Sequence, residues 1–223
     1  MKYSIVIPVY LHKADHKQVV EETLQNIKSM MPEDSELIIV DDGSPEMTGF
    51  LRNYSDTYVR QPNQGIGRSW EVGRLLAQGE YVLFANDDIK LPPGALETLA
   101  NGFNDEKAGV VAPRLGHFTT KPLNDPQGEY YYDKVFYPGY CFMLKRDRFY
   151  EEHDARFKTN CGDVDYWERI IRAGYGLLRA PLEIWHKEGG VLKEMDYDKL
   201  TNDSIQLFKL KHGFDPIPEY YAK

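Results

Sequence analysis

The chain has 223 residues, with 27 Lys and Arg against 35 Asp and Glu, for a formal net charge of −8. At 42% hydrophobic and 28% charged it is globular in composition, and a chain of this length buries roughly 70–75% of its unfolded surface. The acidic balance argues against a protein that grips nucleic acid through its phosphates.

Ser4-Ile-Val-Ile-Pro-Val-Tyr10 reads as a β-branched strand that breaks at Pro8. Val20, Leu24, Ile27 and Met31 then recur at helical spacing behind a cap at Asp15, and Pro32 marks the end. Glu36-Leu-Ile-Ile-Val-Asp-Asp42 is a second buried strand closed by carboxylates. Ser44 and Pro45 predict the cap and first position of a helix carrying Met47, Phe50, Leu51 and Tyr54. Residues 57–61 predict a third strand, 65–77 a helix closed by Gly79, and Glu80-Tyr-Val-Leu-Phe-Ala85 a fourth strand ending in Asn86-Asp87-Asp88. Leu96, Leu99, Ala100 and Phe103 mark a helix after Pro92-Pro93, and Gly109-Val-Val-Ala112 a fifth strand.

This alternation predicts an α/β chain with an open, mainly parallel sheet flanked by helices. Ligands of such sheets bind beyond the carboxyl ends of the strands. The second half is less regular. Residues 115–134 are too long for an ordinary connection and form a candidate functional loop. Residues 135–145 predict a strand, 163–173 a helix, 176–185 an extended segment, and 200–210 an amphipathic helix. No repeat or flexible linker divides the chain. The expected organisation is one domain, with a nucleotide-binding half (1–114), an acceptor and catalytic half (115–190) and a helical C-terminal segment (191–223).

Four places carry chemistry. Asp41 and Asp42 put acceptors at the ligand edge, although an Asp-Gly turn explains them equally well. Asn86-Asp87-Asp88 places adjacent carboxylates in one loop, which repel unless a cation or hydrogen bonds compensate; a hard divalent ion that also takes phosphate oxygens suits them. Asp163, in Gly162-Asp163-Val-Asp165, opens a helix, where the dipole favours an ionised proton acceptor and where a simple cap fits as well. His186 closes an extended segment before a Gly189-Gly190 loop that could close over a ligand. Asn63-Gln64-Gly65 opens a helix but lacks the glycine pattern of a dinucleotide site, and the first strand-to-helix turn has no glycine at all. Those absences count against nicotinamide enzymes and P-loop proteins.

In their order and spacing these segments resemble the family 2 glycosyltransferases of the GT-A fold, closest to a rhamnosyltransferase-like group. The resemblance covers about residues 3–186 and implies a metal-dependent enzyme that transfers a sugar from a nucleoside diphosphate sugar to a hydroxyl of a glycan or glycolipid, with inversion, as in polysaccharide biosynthesis. It implies that Pro8 and Tyr10 line the base pocket and that Asp41 and Asp42 read base and ribose. Asn63, Gly65, Asn86 and Asp87 join the donor site. Asp88 and His186 hold Mn²⁺ or Mg²⁺, Asp163 is the general base, and Asp165 and Arg169 are supporting residues. Asn86 departs from the full acidic motif and Gly162 from the Glu that usually precedes the base. Two other readings stand beside it: a non-catalytic module of the same fold that binds nucleotide-sugars or glycans, and transfer to modified nucleic acid, which the −8 charge disfavours.

Two cysteines, Cys141 and Cys161, make no disulfide framework or zinc spacing. No stretch reaches the roughly 18 apolar residues of a membrane span, and the first residues lack a signal-peptide layout. A cytoplasmic protein without an integral membrane segment, able to sit peripherally at a membrane, is expected.

Overall fold

A computed structural model describes residues 1–45, 48–114, 123–125, 127–135, 137–187 and 197–221. The first half runs β1 (Tyr3–Val9), α1 (Ala14–Met30), β2 (Ser35–Asp41), a single turn α2 (Leu51–Tyr54), β3 (Thr57–Arg60), α3 (Ile66–Leu76) and β4 (Tyr81–Ala85). The chain continues through β5 (Ile89–Lys90), α4 (Ala95–Asn101), β6 (Ala108–Pro113), β7 (Leu123–Asn124), β8 (Tyr131–Tyr132) and β9 (Cys141–Lys145). It ends with α5 (Gly162–Arg172), β10 (Gly176–Ala180), β11 (Leu182–Glu183), β12 (Trp185–His186) and α6 (Tyr197–His212).

Among the described residues eight strands form one sheet in the order β3-β2-β1-β4-β9-β6-β10-β8. The pairs β3-β2, β2-β1, β1-β4 and β6-β10 are parallel, while β9 and β8 run against their neighbours. Both faces are covered, which is why the strands read as continuous apolar runs. Along β1 the side chains alternate: Ile5, Ile7 and Val9 join the core under α1 and α4, and Val6 joins the core holding Trp70 of α3 and Val164, Trp167 and Ile170 of α5.

Pro8 does not break β1. It pairs in register with Val40, and Val9 accepts the amide of Asp42, so the odd residues of β1 bond to β2 and Pro8 faces β4. Pairing with β4 has already ended at Val6, and the missing N–H costs no ladder bond there. Ser44 is not followed by the expected long helix. Its hydroxyl accepts the amide of Leu11, residues 46 and 47 lie outside the described residues, and helix begins only at Leu51. The cap expected at Asp15 sits inside α1, which starts at Ala14. The strand expected over 135–145 is confined to Cys141–Lys145. Of the expected loop at 115–134, residues 115–122 and 126 lie outside the described residues, as do Gly189 and Gly190. None of the described helices is long and apolar enough to cross a membrane.

Candidate active site

Parallel strands bring their carboxyl ends to one edge. Tyr10 follows β1 there, Asp41 closes β2, and Asn86-Asp87-Asp88 lead from β4 into β5. Pro8 is buried within β1 just behind Tyr10, whose ring stacks on His12 with centroids 6.1 Å apart.

Asp41 and Asp42 are both buried and both engaged. Asp41 accepts the amide of Ser44 at 2.9 Å and the hydroxyl of Tyr58 at 2.7 Å, with Arg60 at 3.6 Å. Asp42 accepts Gln61 Nε2 at 2.7 Å, the Gln64 amide at 3.0 Å and the Gly65 amide at 2.9 Å. The Asn63-Gln64-Gly65 loop is therefore pinned to β2 by a carboxylate. Gly65 has φ +90°, and a side chain there would collide with the Lys158 backbone, whose carbonyl takes the Ile66 amide. The first amide of α3, that of Ile66, is thus bonded to protein, and Asn63 stands exposed at the loop's tip.

Asp88 and His186 meet because β5 and β12 pair antiparallel, with His186 opposite Ile89 and the Lys187 amide bonded to the Asp88 carbonyl at 2.9 Å. Asp88 Oδ1 is buried, accepts no hydrogen bond among the described residues, and lies 3.2 Å from His186 Nε2. A bare carboxylate oxygen at that spacing from an imidazole nitrogen fits two ligands of one divalent cation. Among the described residues no group of three His, Cys, Asp or Glu forms a complete metal cage. Asn86 contributes no carboxylate, so the pair suits an ion whose remaining positions go to phosphate and water.

Asp87 turns to a residue that the sequence motifs did not single out. His16, in the first turn of α1, places Nε2 3.5 Å from Asp87 Oδ1, and both side chains are largely buried. Burial alone would lower the His16 pKa, but the hydrogen bond and charge of Asp87 outweigh it and raise the pKa. The only sequence signal was a histidine near the ligand edge of the first strand-to-helix turn, too common a feature to select.

Asp163 sits in the first turn of α5. Its Oδ1 accepts the Val164 amide at 2.9 Å, and its Oδ2 lies against Gly139. Burial raises its pKa, against the opposing pull of nearby amides. Two contacts join Asp163 to the pair of Asp88 and His186. Gly139 packs directly against the Asp163 carboxylate, and Tyr140 stacks on His186 with centroids 4.3 Å apart at 14°. The Tyr140 carbonyl also takes the Asn86 amide at 2.9 Å. Asp163, His186, Asp88 and Asn86 are thus gathered around residues 139 and 140.

Asp165 and Arg169 are not part of that gathering. Arg169 bonds to Asp165 Oδ2 at 3.1 Å and to the Glu152 carbonyl at 2.8 Å, over the face of Tyr166. Asp165 is fully buried and faces α6.

A mainly parallel sheet with acidic strand ends at one edge and a carboxylate opening a helix beside them defines the GT-A type of fold. A mannosyltransferase from Pyrobaculum calidifontis, solved with GDP-Man and Mn²⁺, superposes with TM-score 0.61 at 18% identity over 97% of this chain and 66% of its own. GalNAc-T7, solved with UDP, GalNAc and Mn²⁺, superposes with TM-score 0.65 at 14% identity over 91% of this chain and 48% of its own. In sequence, the chain is 33% identical to a dolichyl-phosphate beta-glucosyltransferase of Trichomonas vaginalis over 92% of its length and 72% of the relative's. The model of glycosyl transferase family 2 matches residues 4–170, and the chain belongs to that family. It spans 24% to 35% of the length of three bacterial relatives, from Mycobacterium tuberculosis, Haemophilus influenzae and Streptococcus pneumoniae.

Proposed function

We propose that this chain catalyses inverting transfer of a sugar from a nucleoside diphosphate sugar to a hydroxyl of a glycan or glycolipid acceptor, with Asp163 as general base. One observation carries the reading: consecutive residues, Gly139 and Tyr140, touch the base and the cation-binding imidazole, so that both act on one small volume. That the two superposed transferases were solved with UDP or GDP-Man and with Mn²⁺ supports a nucleotide-sugar donor and a divalent cation.

Asp163 Oδ2 accepts the proton of the acceptor hydroxyl as its oxygen bonds to the anomeric carbon. The bond from that carbon to the diphosphate oxygen breaks, its electron pair leaves with the nucleoside diphosphate, and in-line attack inverts the configuration. Asp88 and His186 would hold Mn²⁺ or Mg²⁺, which supplies charge neutralisation for the diphosphate. Asp87, oriented by His16, faces the ribose. Pro8 and Tyr10 border the base, while Asp41 and Asp42 shape that pocket by holding Gly65 and the loop with Asn63 in place. The chemistry belongs to assembly of a polysaccharide or lipid-linked glycan on the cytoplasmic side, with peripheral contact to a membrane.

The test is a panel of UDP-, GDP- and dTDP-sugars with Mn²⁺ or with chelator. One donor class is expected to raise the melting temperature in Mn²⁺ and to be slowly hydrolysed to a product of inverted anomeric configuration. Asp163→Asn should keep the thermal shift and lose turnover. A purified chain that neither binds nor cleaves any member would sink the proposal, and binding without cleavage would make it a non-catalytic module.

A further inference from the structure

Asp165 follows the proposed base by two residues on α5, is fully buried, and holds two cationic side chains and a histidine. Its Oδ1 lies 2.6 Å from Lys211 Nζ and 2.7 Å from His212 Nε2, and its Oδ2 lies 3.1 Å from Arg169 Nε. A carboxylate only accepts, so the His212 Nε2 carries the hydrogen. Lys211 and His212 form the last turn of α6, beyond the residues 4–170 that match the family model. The same helix is bound to its neighbours by Lys211 to Asp154 at 2.8 Å, by Arg172 to the His212 carbonyl at 3.2 Å, and by the burial of Phe208 in the core that contains Trp167.

The start of α5 is also strained. Cys161, its cap, has φ 61°, the single non-glycine with positive φ among the described residues. Left-handed backbone crowds a Cβ and persists only where its surroundings over-determine it. The Asp165 amide donates to the Cys161 carbonyl at 2.8 Å. One residue thus closes the strained turn through its backbone and ties it to α6 through its side chain, and Asp163 lies between the two points.

We infer that Asp165 is a positioning residue for the base, and that the clamp of Lys211 and His212 on it sets where the Asp163 carboxylate rests against Gly139. The inference rests on Asp163 being the base. Releasing the clamp lets Cys161 leave the left-handed region and moves Asp163, while Asp88 and His186, carried by β5 and β12, keep their places. The signature is a loss in kcat with the donor KM unchanged.

The experiment compares Asp165→Asn, Lys211→Met and His212→Gln in the whole chain, using donor turnover in Mn²⁺ and the thermal shift given by the nucleoside diphosphate. Lys211→Met leaves Asp165 with two partners and serves if Asp165→Asn fails to fold. A fall in kcat of at least about tenfold at constant donor KM and constant thermal shift is expected. Adding Cys161→Gly to Lys211→Met should recover part of that loss, because glycine holds the left-handed turn without the clamp. Unchanged kcat in a folded Lys211→Met, a donor KM that rises with the loss, or no recovery with Cys161→Gly would each overturn the role. A parent chain that binds the donor but never turns it over would remove the base assignment itself, and the clamp's role with it.

Discussion

The Asp163 carboxylate fills the space that a side chain at position 139 would need, so Gly139 is the wall against which the proposed base is set. Tyr140, the next residue, stacks on His186. The Asp163 carboxylate and the imidazole beside Asp88 therefore take their positions from adjoining residues, and a disturbance at either residue reaches the proposed chemistry without touching a ligand.

Gly139→Ala tests that relationship. The methyl group must displace the carboxylate, and a base moved by about 1 Å costs on the order of 10²-fold in rate. Steady-state turnover should show kcat falling by about 10- to 100-fold, with donor KM within about twofold of the parent. An alanine variant of undiminished kcat would mean that the carboxylate has room to move without consequence.

The pH dependence of turnover follows from the burial of Asp163. Its folded pKa is raised from the ordinary carboxylate value, and only the ionised form accepts a proton. Turnover should therefore rise with pH through that raised pKa and disappear below it, so the acidic limb lies above the range of an exposed aspartate. A pH profile of kcat/KM measures this. A limb at or below the ordinary value would count against Asp163 as base.

Metal removal should silence the enzyme. Among the described residues Asp88 and His186 are the two ligands proposed for the cation, so each would carry a large share of its affinity. Chelation is expected to abolish turnover, with recovery on adding Mn²⁺, and His186→Ala should weaken Mn²⁺ binding by at least about tenfold by calorimetry. Full turnover in chelator would take both residues out of that role.

His153 gives a separate prediction on stability. Its ring is buried among Trp70, Phe84, Phe142 and Tyr166, and among the described residues neither ring nitrogen has a hydrogen-bond partner. Burial first, and then the charges of Arg169 and Arg74, hold its folded pKa well below the usual 6.5, although Glu71 bonds to its backbone amide. Below about pH 6.5 the unfolded chain takes up a proton that the folded chain refuses, so stability falls with pH there and is unaffected above it. The slope for one such group is about 1.4 kcal/mol per pH unit. Between pH 7.5 and 5 the melting temperature of His153→Phe should fall less than that of the parent. Parallel curves would show that the ring is protonated without penalty.

Much of the architecture was legible in the chain. Continuous runs such as Glu36-Leu-Ile-Ile-Val and Tyr81-Val-Leu-Phe-Ala read as strands because a sheet covered on both faces demands apolar side chains at every position. Helices α3, α5 and α6 fell within a few residues of their expected spans. Pro8 misled because a proline interrupts a strand only if its missing donor faces a partner, and that depends on where β4 stops. The 135–145 run misled because only its last residues find a strand to pair with. His16 and Gly139 were not legible at all: each matters through a contact with a residue far away in the chain.

What the sequence by itself determined was the family, through the order of its motifs, and which strand ends carry carboxylates. Periodicity and turn residues are local, and they suffice for that. Only the tertiary structure decided which carboxylates have an oxygen to offer. Asp41 and Asp42 sit at the same edge as Asp88, yet Tyr58, Gln61, Gln64 and Gly65 occupy them, while among the described residues no hydrogen bond reaches Asp88 Oδ1. On α5, Asp163 sets Oδ2 beside Gly139, and Asp165, two residues on, is closed by Lys211, His212 and Arg169. Identical side chains differ here because their partners arrive from other elements, and only folding brings those elements together.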